Sequence, residues 1–393
     1  MRRVAVANPF RPSFGNSPPV LAGRDELIEQ FAEALDNGPG APGRATLYTG
    51  ARGTGKTVML NEVADIARQR GWLVVEETAS PGVVTRLVTQ HLPELLDELD
   101  PRGRKITVRQ VTAPMGVGAI AWDSTDRHVV AAGLRNQLEL ACDLLAERET
   151  GLLLTFDEVH HSNQADLRDV FVAVQHLFRN DREIAVAAAG LPSAISNLLN
   201  DAVLTFLRRA DRHILGQIEP DEVERALRAT IEGSGRTISG AACRAAAAAT
   251  GGYPFLIQLV GYHVWRQRPD QRAITVADVE AGAATAMSRM ESLVHEPALA
   301  DLSNVDRAFL AAMAMDDGPS RISDIARRLG VDLGYTSVYR QRLIDAQMIE
   351  PAGHGVLRFT LPHMAEYLRS HRPPSLDRPS TGAPPAKGIG RGR

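Results

Sequence analysis

Cysteine is almost missing from this chain: Cys142 and Cys243 are the only two in 393 residues. Two isolated thiols make neither a disulfide framework nor a spaced zinc-ligand cluster. Both fall within helical patterns, where a small buried residue in a reducing compartment is expected. Long apolar runs are also lacking. No stretch approaches the roughly 20 residues of a membrane span, and the opening "MRRVAVANPFRPSFG" reaches proline and phenylalanine too early for a signal-peptide core. The net charge is only −3, so no global basic field exists and any nucleic-acid contact has to come from a local patch. The expectation is a cytoplasmic protein with no membrane partner, long enough for two or three domains.

What is present is glycine at a particular spacing. The stretch "GARGTGKT" runs Gly50, Ala51, Arg52, Gly53, Thr54, Gly55, Lys56, Thr57. Backbone N–H groups approach phosphate oxygens closely only where a Cβ does not obstruct them. In such a loop Lys56 reaches the β- and γ-phosphates and the Thr57 hydroxyl sits on Mg²⁺. A β-prone run at 45–49 precedes the loop. An amphipathic helical pattern follows, carrying Met59, Leu60, Val63, Ile66 and Ala67. Strand, glycine loop and helix N-terminus together aim peptide dipoles at an anion. The expected ligands are ATP or ADP and Mg²⁺.

Further strands are expected at 72–79, 152–156, 184–189 and 213–218, separated by helices at 83–99 and 131–148, which argues for a parallel sheet with helices on both faces. An inserted hairpin is expected within 100–128, with strands at 106–111 and 118–122. The strand at 152–156 ends in Asp157 and Glu158. Beside a phosphate loop, Asp157 holds Mg²⁺ and Glu158 orients and polarises an attacking water; the plain alternative is a solvated strand end. His160 and His161 follow, but magnesium prefers oxygen, and they are read as shaping the loop. "TFLRRADRH" places Arg208 and Arg209 before the last strand, where an arginine neutralises γ-phosphate charge, often across a subunit boundary. Arg209 is the preferred one, and a nucleotide-dependent homo-oligomer would follow. The alternative is a helix end that favours basic residues by its dipole.

Taken in order, "GRDELI", "GARGTGKT", "LLLTFDEVHH", "AGLPS", "FLRRA" and "GGYPFLIQL" resemble the AAA+/STAND P-loop ATPases, especially the archaeal-type and origin-recognition-like families. The resemblance implies an α/β P-loop NTPase fold with an all-helical lid. Its divisions are an extended strap at 1–18, an ATPase core at 19–219 and the lid at 220–295. It also implies that the strap and "GRDELI" cover the adenine, which assigns Phe10, Gly23 and Arg24 to the base pocket. "AVAAAGLPS" lacks the family's polar sensor, with Ser193 nearby, and "GGYPF" stands where many members place an arginine.

Residues 300–371 follow a helix, helix-turn-helix, hairpin order that resembles a winged helix. Gly330 provides the turn, and the second helix, expected from 335 to 346, exposes Thr336, Ser337, Tyr339, Arg340 and Arg342 toward a major groove. Val338 and Leu343 are expected to face inward, making Arg340 the principal contact. Arg358 on the wing, with Arg327 and Arg328, meets phosphates. Duplex DNA is the expected partner; the alternative is a signalling or scaffold ATPase whose winged helix contacts protein, with little turnover. The Pro/Gly-rich end, 372–393, reads as a disordered tail.

Overall fold

The computed structural model describes residues 7–13, 15–101, 106–110, 120–124, 133–159, 164–300 and 302–371. His160, His161 and the tail at 372–393 lie outside them. The chain divides into two units, Met1–Ala286 and Met287–Arg393.

The first unit is built on a five-stranded parallel sheet. In chain order the strands are β1 (Ala45–Thr49), β2 (Leu73–Thr78), β3 and β4 (Ile106–Gln110 and Ile120–Ser124), β5 (Leu152–Val159), β6 (Ile184–Gly190) and β7 (Asp211–Ile214). The sheet order is β2-β5-β6-β1-β7, while β3 and β4 pair antiparallel with each other as the inserted hairpin. Alternation along the strands feeds two cores. Leu47, Leu154, Phe156 and Val186 pack on one side with Leu138 and Phe171. Tyr48, Leu153, Ala185, Ala187 and Ala189 pack on the other with Met59, Leu60 and Val63 of helix α2 (Lys56–Gln69). The alanines of β6 leave room for α2, which begins at the phosphate loop.

Helix α1 (Asp25–Asp36) begins where the sequence places it and buries Phe31, Ala34 and Leu35. Arg44, 3% exposed, donates to the carbonyls of Ala34 and Leu35 and pairs with Glu183 at 2.7 Å. A buried guanidinium thus satisfies carbonyls in the last turn of α1 and ties it to the sheet. The expected helix at 83–99 is interrupted by a π turn, Leu87–His91, and a second π turn spans Glu291–His295. Each precedes a proline, Pro93 or Pro297. Proline has no N–H for the carbonyl one turn back, and a wider turn accommodates that break.

The lid carries helices Pro220–Gly233, Gly240–Thr250 and Pro254–Trp265 and the start of Val276–Met290. It is helical apart from a short parallel pair, Thr237–Ile238 with Ala273–Ile274. Gly251, at φ +53°, closes the alanine-rich helix as the sequence implies. Among the described residues no helix is long and apolar enough to cross a membrane.

The second unit contains helix Asn304–Met313, strand Ser320–Arg321, helices Ile322–Leu329 and Leu333–Asp345, strands Ile349–Gly353 and Val356–Phe359, and helix Met364–Ser370. The first helix opens with a capping box between Ser303 and Asp306. The three strands form one antiparallel sheet in the order Ser320–Arg321, Val356–Phe359, Ile349–Gly353.

Candidate nucleotide site

The site lies at the carboxyl ends of β1 and β5. The chain leaves β1 at Thr49, turns through the glycine loop and enters α2 at Lys56. Gly55, the residue before α2, has φ +90°, a conformation that side-chain-bearing residues rarely adopt. Lys56 Nζ folds over the loop and donates to the carbonyls of Gly50 (2.9 Å) and Ala51 (2.8 Å). Burial draws its pKa down; the carboxylates of Glu158 and Asp157 act in the opposite sense, and Arg52 adds to the lowering. The Lys56 ammonium is thus partly desolvated at the mouth of the loop, with two carboxylates near it.

β5 brings the carboxylates. The strand extends past the expected 156 to Val159, but its register against β6 slips between Phe156 and Val159. Phe156 lies opposite Ala188 and Val159 opposite Gly190, so an extra residue is accommodated at Asp157-Glu158. Glu158 takes φ +56°, an uncommon conformation for a residue with a side chain. Asp157 Oδ1 accepts from the Glu158 backbone N–H at 2.8 Å, and Oδ2 accepts from the Thr57 hydroxyl at 2.6 Å. The structure therefore brings together Lys56, Thr57 and Asp157. A hydroxyl and a carboxylate in direct contact form an oxygen donor pair, which suits a hard cation such as Mg²⁺.

The flanking residues are placed differently from one another. Arg24 donates to the Gly216 carbonyl at 2.7 Å, with its pKa drawn down by burial, and Gly23 at φ +58° lies against Ile218. Both border the segment that follows β7. Phe10 corrects the expectation: it is 3% exposed, with its ring against Gly261 in helix Pro254–Trp265. Asn8 Nδ2 donates to the Tyr262 carbonyl (3.0 Å), and the Arg11 N–H donates to Gln258 Oε1 (3.1 Å). The ring is used to fasten the strap to the lid, leaving almost none of its surface for a base. Further along, the Gly15 carbonyl accepts from Asn61 Nδ2 at 2.8 Å, which lays the strap beside the first turns of α2.

Arg208 and Arg209 are exposed in a 3₁₀ turn, Thr205–Arg209, just before β7. β7 pairs parallel to β1 from Thr46↔Asp211 to Thr49↔Ile214. The arginines therefore stand at the amino end of the sheet, while the phosphate loop leaves its carboxyl end. A separate cleft of about 760 Å³, bordered by Gly43, Arg179 and Arg209, opens on the arginine side.

Two features had no sequence signal. Near the end of β2, Glu77 accepts from Arg86 (2.8 Å) and meets His91 Nε2 (2.8 Å), and these partners hold its carboxyl below the usual range against the opposing effect of burial. Nothing in the spacing of these residues announces the cluster. The lid also touches the phosphate loop directly, through Tyr253 and Phe255.

This strand–loop–helix with an adjoining acidic strand agrees with the comparisons. Residues 20–185 match the family model of the AAA ATPase domain. Residues 292–368 match a second family, described as a domain of unknown function (DUF8462). No curated protein matches the chain in sequence. Among solved structures, a Walker-type ATPase of Pyrococcus abyssi is similar at TM-score 0.61 and 13% identity, covering 89% of this chain and 96% of that one. The ORC2 protein of Aeropyrum pernix, in its ADPNP-ADP complexes, is similar at TM-score 0.59 and 14% identity, covering 91% and 95%. At these identities the likeness is one of fold. The site residues Gly50–Thr57, Asp157 and Glu158 all fall within the matched residues 20–185.

In the second unit the expected DNA-facing helix is rotated relative to the sequence reading. Thr336 and Leu343 are buried at 1% and 0%, whereas Val338 is 59% exposed. The Thr336 hydroxyl donates to the Asp332 carbonyl at 2.8 Å, which satisfies it within its own helix and permits burial. Thr336 is therefore removed from the exposed set. Ser337 remains exposed, while Arg340 is half-buried. Arg342 is the more exposed arginine, reversing the expected order, but its guanidinium pairs with buried Asp306 at 2.9 Å and lies over the Tyr339 ring. On the hairpin, Arg358 pairs with Glu350 at 2.5 Å.

Proposed function

We propose that the chain is an ATP-binding and ATP-hydrolysing switch whose C-terminal unit, read as a winged helix, docks on duplex DNA. The observation that carries the ATP part is the convergence of Lys56, Thr57 and Asp157, with the Thr57 hydroxyl 2.6 Å from the Asp157 carboxylate. The ADPNP-ADP complexes of the Aeropyrum pernix protein support it as a use to which this fold is put. Thr57 and Asp157 would hold Mg²⁺, which screens the phosphate charge when bound. The loop amides bind the phosphates, Lys56 neutralises the β- and γ-oxygens, and Glu158 orients a water and takes up its proton as the water oxygen bonds to the γ-phosphorus and the bond to the β–γ bridging oxygen breaks, releasing ADP and phosphate. Arg24 and Gly23 border the base.

Arg209 stands at the opposite end of the sheet from its own phosphate loop, so its role is assigned across a boundary between copies. Arg209→Ala is expected to bind ATP as the wild type does and to lose turnover. Mixing it with Glu158→Gln protein restores part of the activity, because hybrid interfaces keep both groups. Phosphate release by the mixture checks this; turnover independent of protein concentration in a strictly monomeric sample contradicts it.

For DNA, Ser337, Arg340, Arg342 and Arg358 remain the contact set. Affinity for generic duplex is expected to fall steeply with salt. Arg340→Ala is expected to cost about 1–3 kcal/mol of binding if it reads a base, with ATP binding unchanged. Arg340 is the cleaner test than Arg342, whose removal strips buried Asp306 of its cation. A second reading, docking to protein, is favoured by the exposure of Leu333 (55%), Tyr335 (40%) and Val338 (59%) on the same helix. Gel-shift titration of generic duplex against salt decides between them: no salt-dependent affinity transfers the unit to the protein-contact reading.

A further inference from the structure

The backbone carbonyls of Gly50, Ala51, Arg52 and Gly53 in the phosphate loop are held. Lys56 Nζ takes those of Gly50 and Ala51, and the Thr54 hydroxyl adds a second bond to Ala51. The next two are held from outside the loop. The Tyr253 hydroxyl donates to the Arg52 carbonyl at 2.5 Å, and the Phe255 backbone N–H donates to the Gly53 carbonyl at 3.2 Å. Both donors belong to the lid, at the start of helix Pro254–Trp265.

A peptide unit is planar and trans, so fixing its C=O fixes the N–H of the following residue on the opposite side. Holding the Arg52 carbonyl orients the Gly53 N–H, and holding the Gly53 carbonyl orients the Thr54 N–H. These are amides of the kind that cradle phosphate oxygens in a glycine loop. The fit is close: a Cβ on Gly53 would run into the Tyr253 hydroxyl, so this glycine is required by the lid as well as by its own φ of +74°. Tyr253 is itself fixed, being 2% exposed, and the Ile218 N–H donates to the Gly252 carbonyl just before it at 2.7 Å. Burial drives its phenol above the ordinary range, which keeps the hydroxyl a neutral donor.

We propose that Tyr253 is a positioning residue for the nucleotide: through the Arg52 carbonyl its hydroxyl aims the Gly53 amide at the phosphates, so that the lid completes the cradle. Lid closure and phosphate binding then become one linked equilibrium, and each strengthens the other by the same factor. The inference rests on the ATP-binding reading.

The test uses the full chain, wild type and Tyr253→Phe, which keeps the ring and removes the donor. ATP affinity is measured by equilibrium titration in Mg²⁺. Amide hydrogen exchange at Gly53, Thr54 and Phe255 is followed with and without ATP. Loss of one such hydrogen bond is expected to weaken ATP binding about 3- to 10-fold and to lower the nucleotide-free melting temperature only modestly. In the wild type, ATP slows exchange at all three amides; in Tyr253→Phe it slows Phe255 much less. A purely structural role would also lower the nucleotide-free melting temperature but leave the ATP-induced protection of Phe255 intact. Wild-type binding without added protection at Phe255 overturns the inference even if the variant does not fold, as does equal ATP affinity in the two proteins. Absence of ATP binding by the wild type overturns the underlying ATP reading instead.

Discussion

Lys56→Ala is expected to weaken ATP binding by about 100-fold, the scale of losing a charge-assisted phosphate contact in a partly desolvated site. The reason lies in how the ammonium is held. It is already drawn out of water and bonded to the Gly50 and Ala51 carbonyls, close to the Glu158 and Asp157 carboxylates. Alanine leaves the Gly50 carbonyl without this donor, while Thr54 still serves Ala51. The cost to the fold is accordingly about 1 kcal/mol, far less than the cost to binding. Titration with ATP alongside thermal unfolding checks both halves. Equal ATP affinity in variant and wild type would remove the phosphate-loop assignment.

Glu158→Gln is expected to behave in the opposite way: ATP remains bound while hydrolysis slows by about 10²- to 10⁴-fold, the usual worth of a positioned general base. Glutamine has the same shape and meets the same φ of +56°, so the bulge at the end of β5 persists. What changes is the ability to take a proton from water. Asp157 and Thr57, which face each other at 2.6 Å, are untouched. Single-turnover phosphate release, measured with bound nucleotide quantified in parallel, separates the two effects. A variant that hydrolyses at the wild-type rate would take Glu158 out of the mechanism.

The parts of the site that sequence makes legible are those written locally. Glycine spacing, the run ahead of it and the amphipathic helix behind it define β1, the loop and α2, because each depends on neighbours in the chain. The apolar run ending in Asp-Glu likewise marks β5, although not the register slip that turns Asp157 and Glu158 at its end. The phase of helix Leu333–Asp345 departs from the apolar pattern for a definite reason. Val338 is the more apolar residue, yet Thr336 is buried because its hydroxyl is satisfied by Asp332 four residues earlier. Resemblance points Phe10 at the base, whereas its ring meets Gly261, a contact that no local pattern encodes. The bond from Tyr253 to Arg52 joins residues 201 apart in the chain, and only the folded lid reveals it. The placement of Arg209 is likewise non-local, since its position at the other end of the sheet from the loop follows from the parallel pairing of β7 with β1.

The most direct test of the central claim is phosphate release by the wild-type chain given ATP at about 1 mM, the upper end of ordinary KM values, with and without Mg²⁺. The account predicts release that depends on Mg²⁺, disappears in Lys56→Ala and falls sharply in Glu158→Gln while ATP stays bound. ATP neither bound nor hydrolysed by the folded wild-type protein would contradict it.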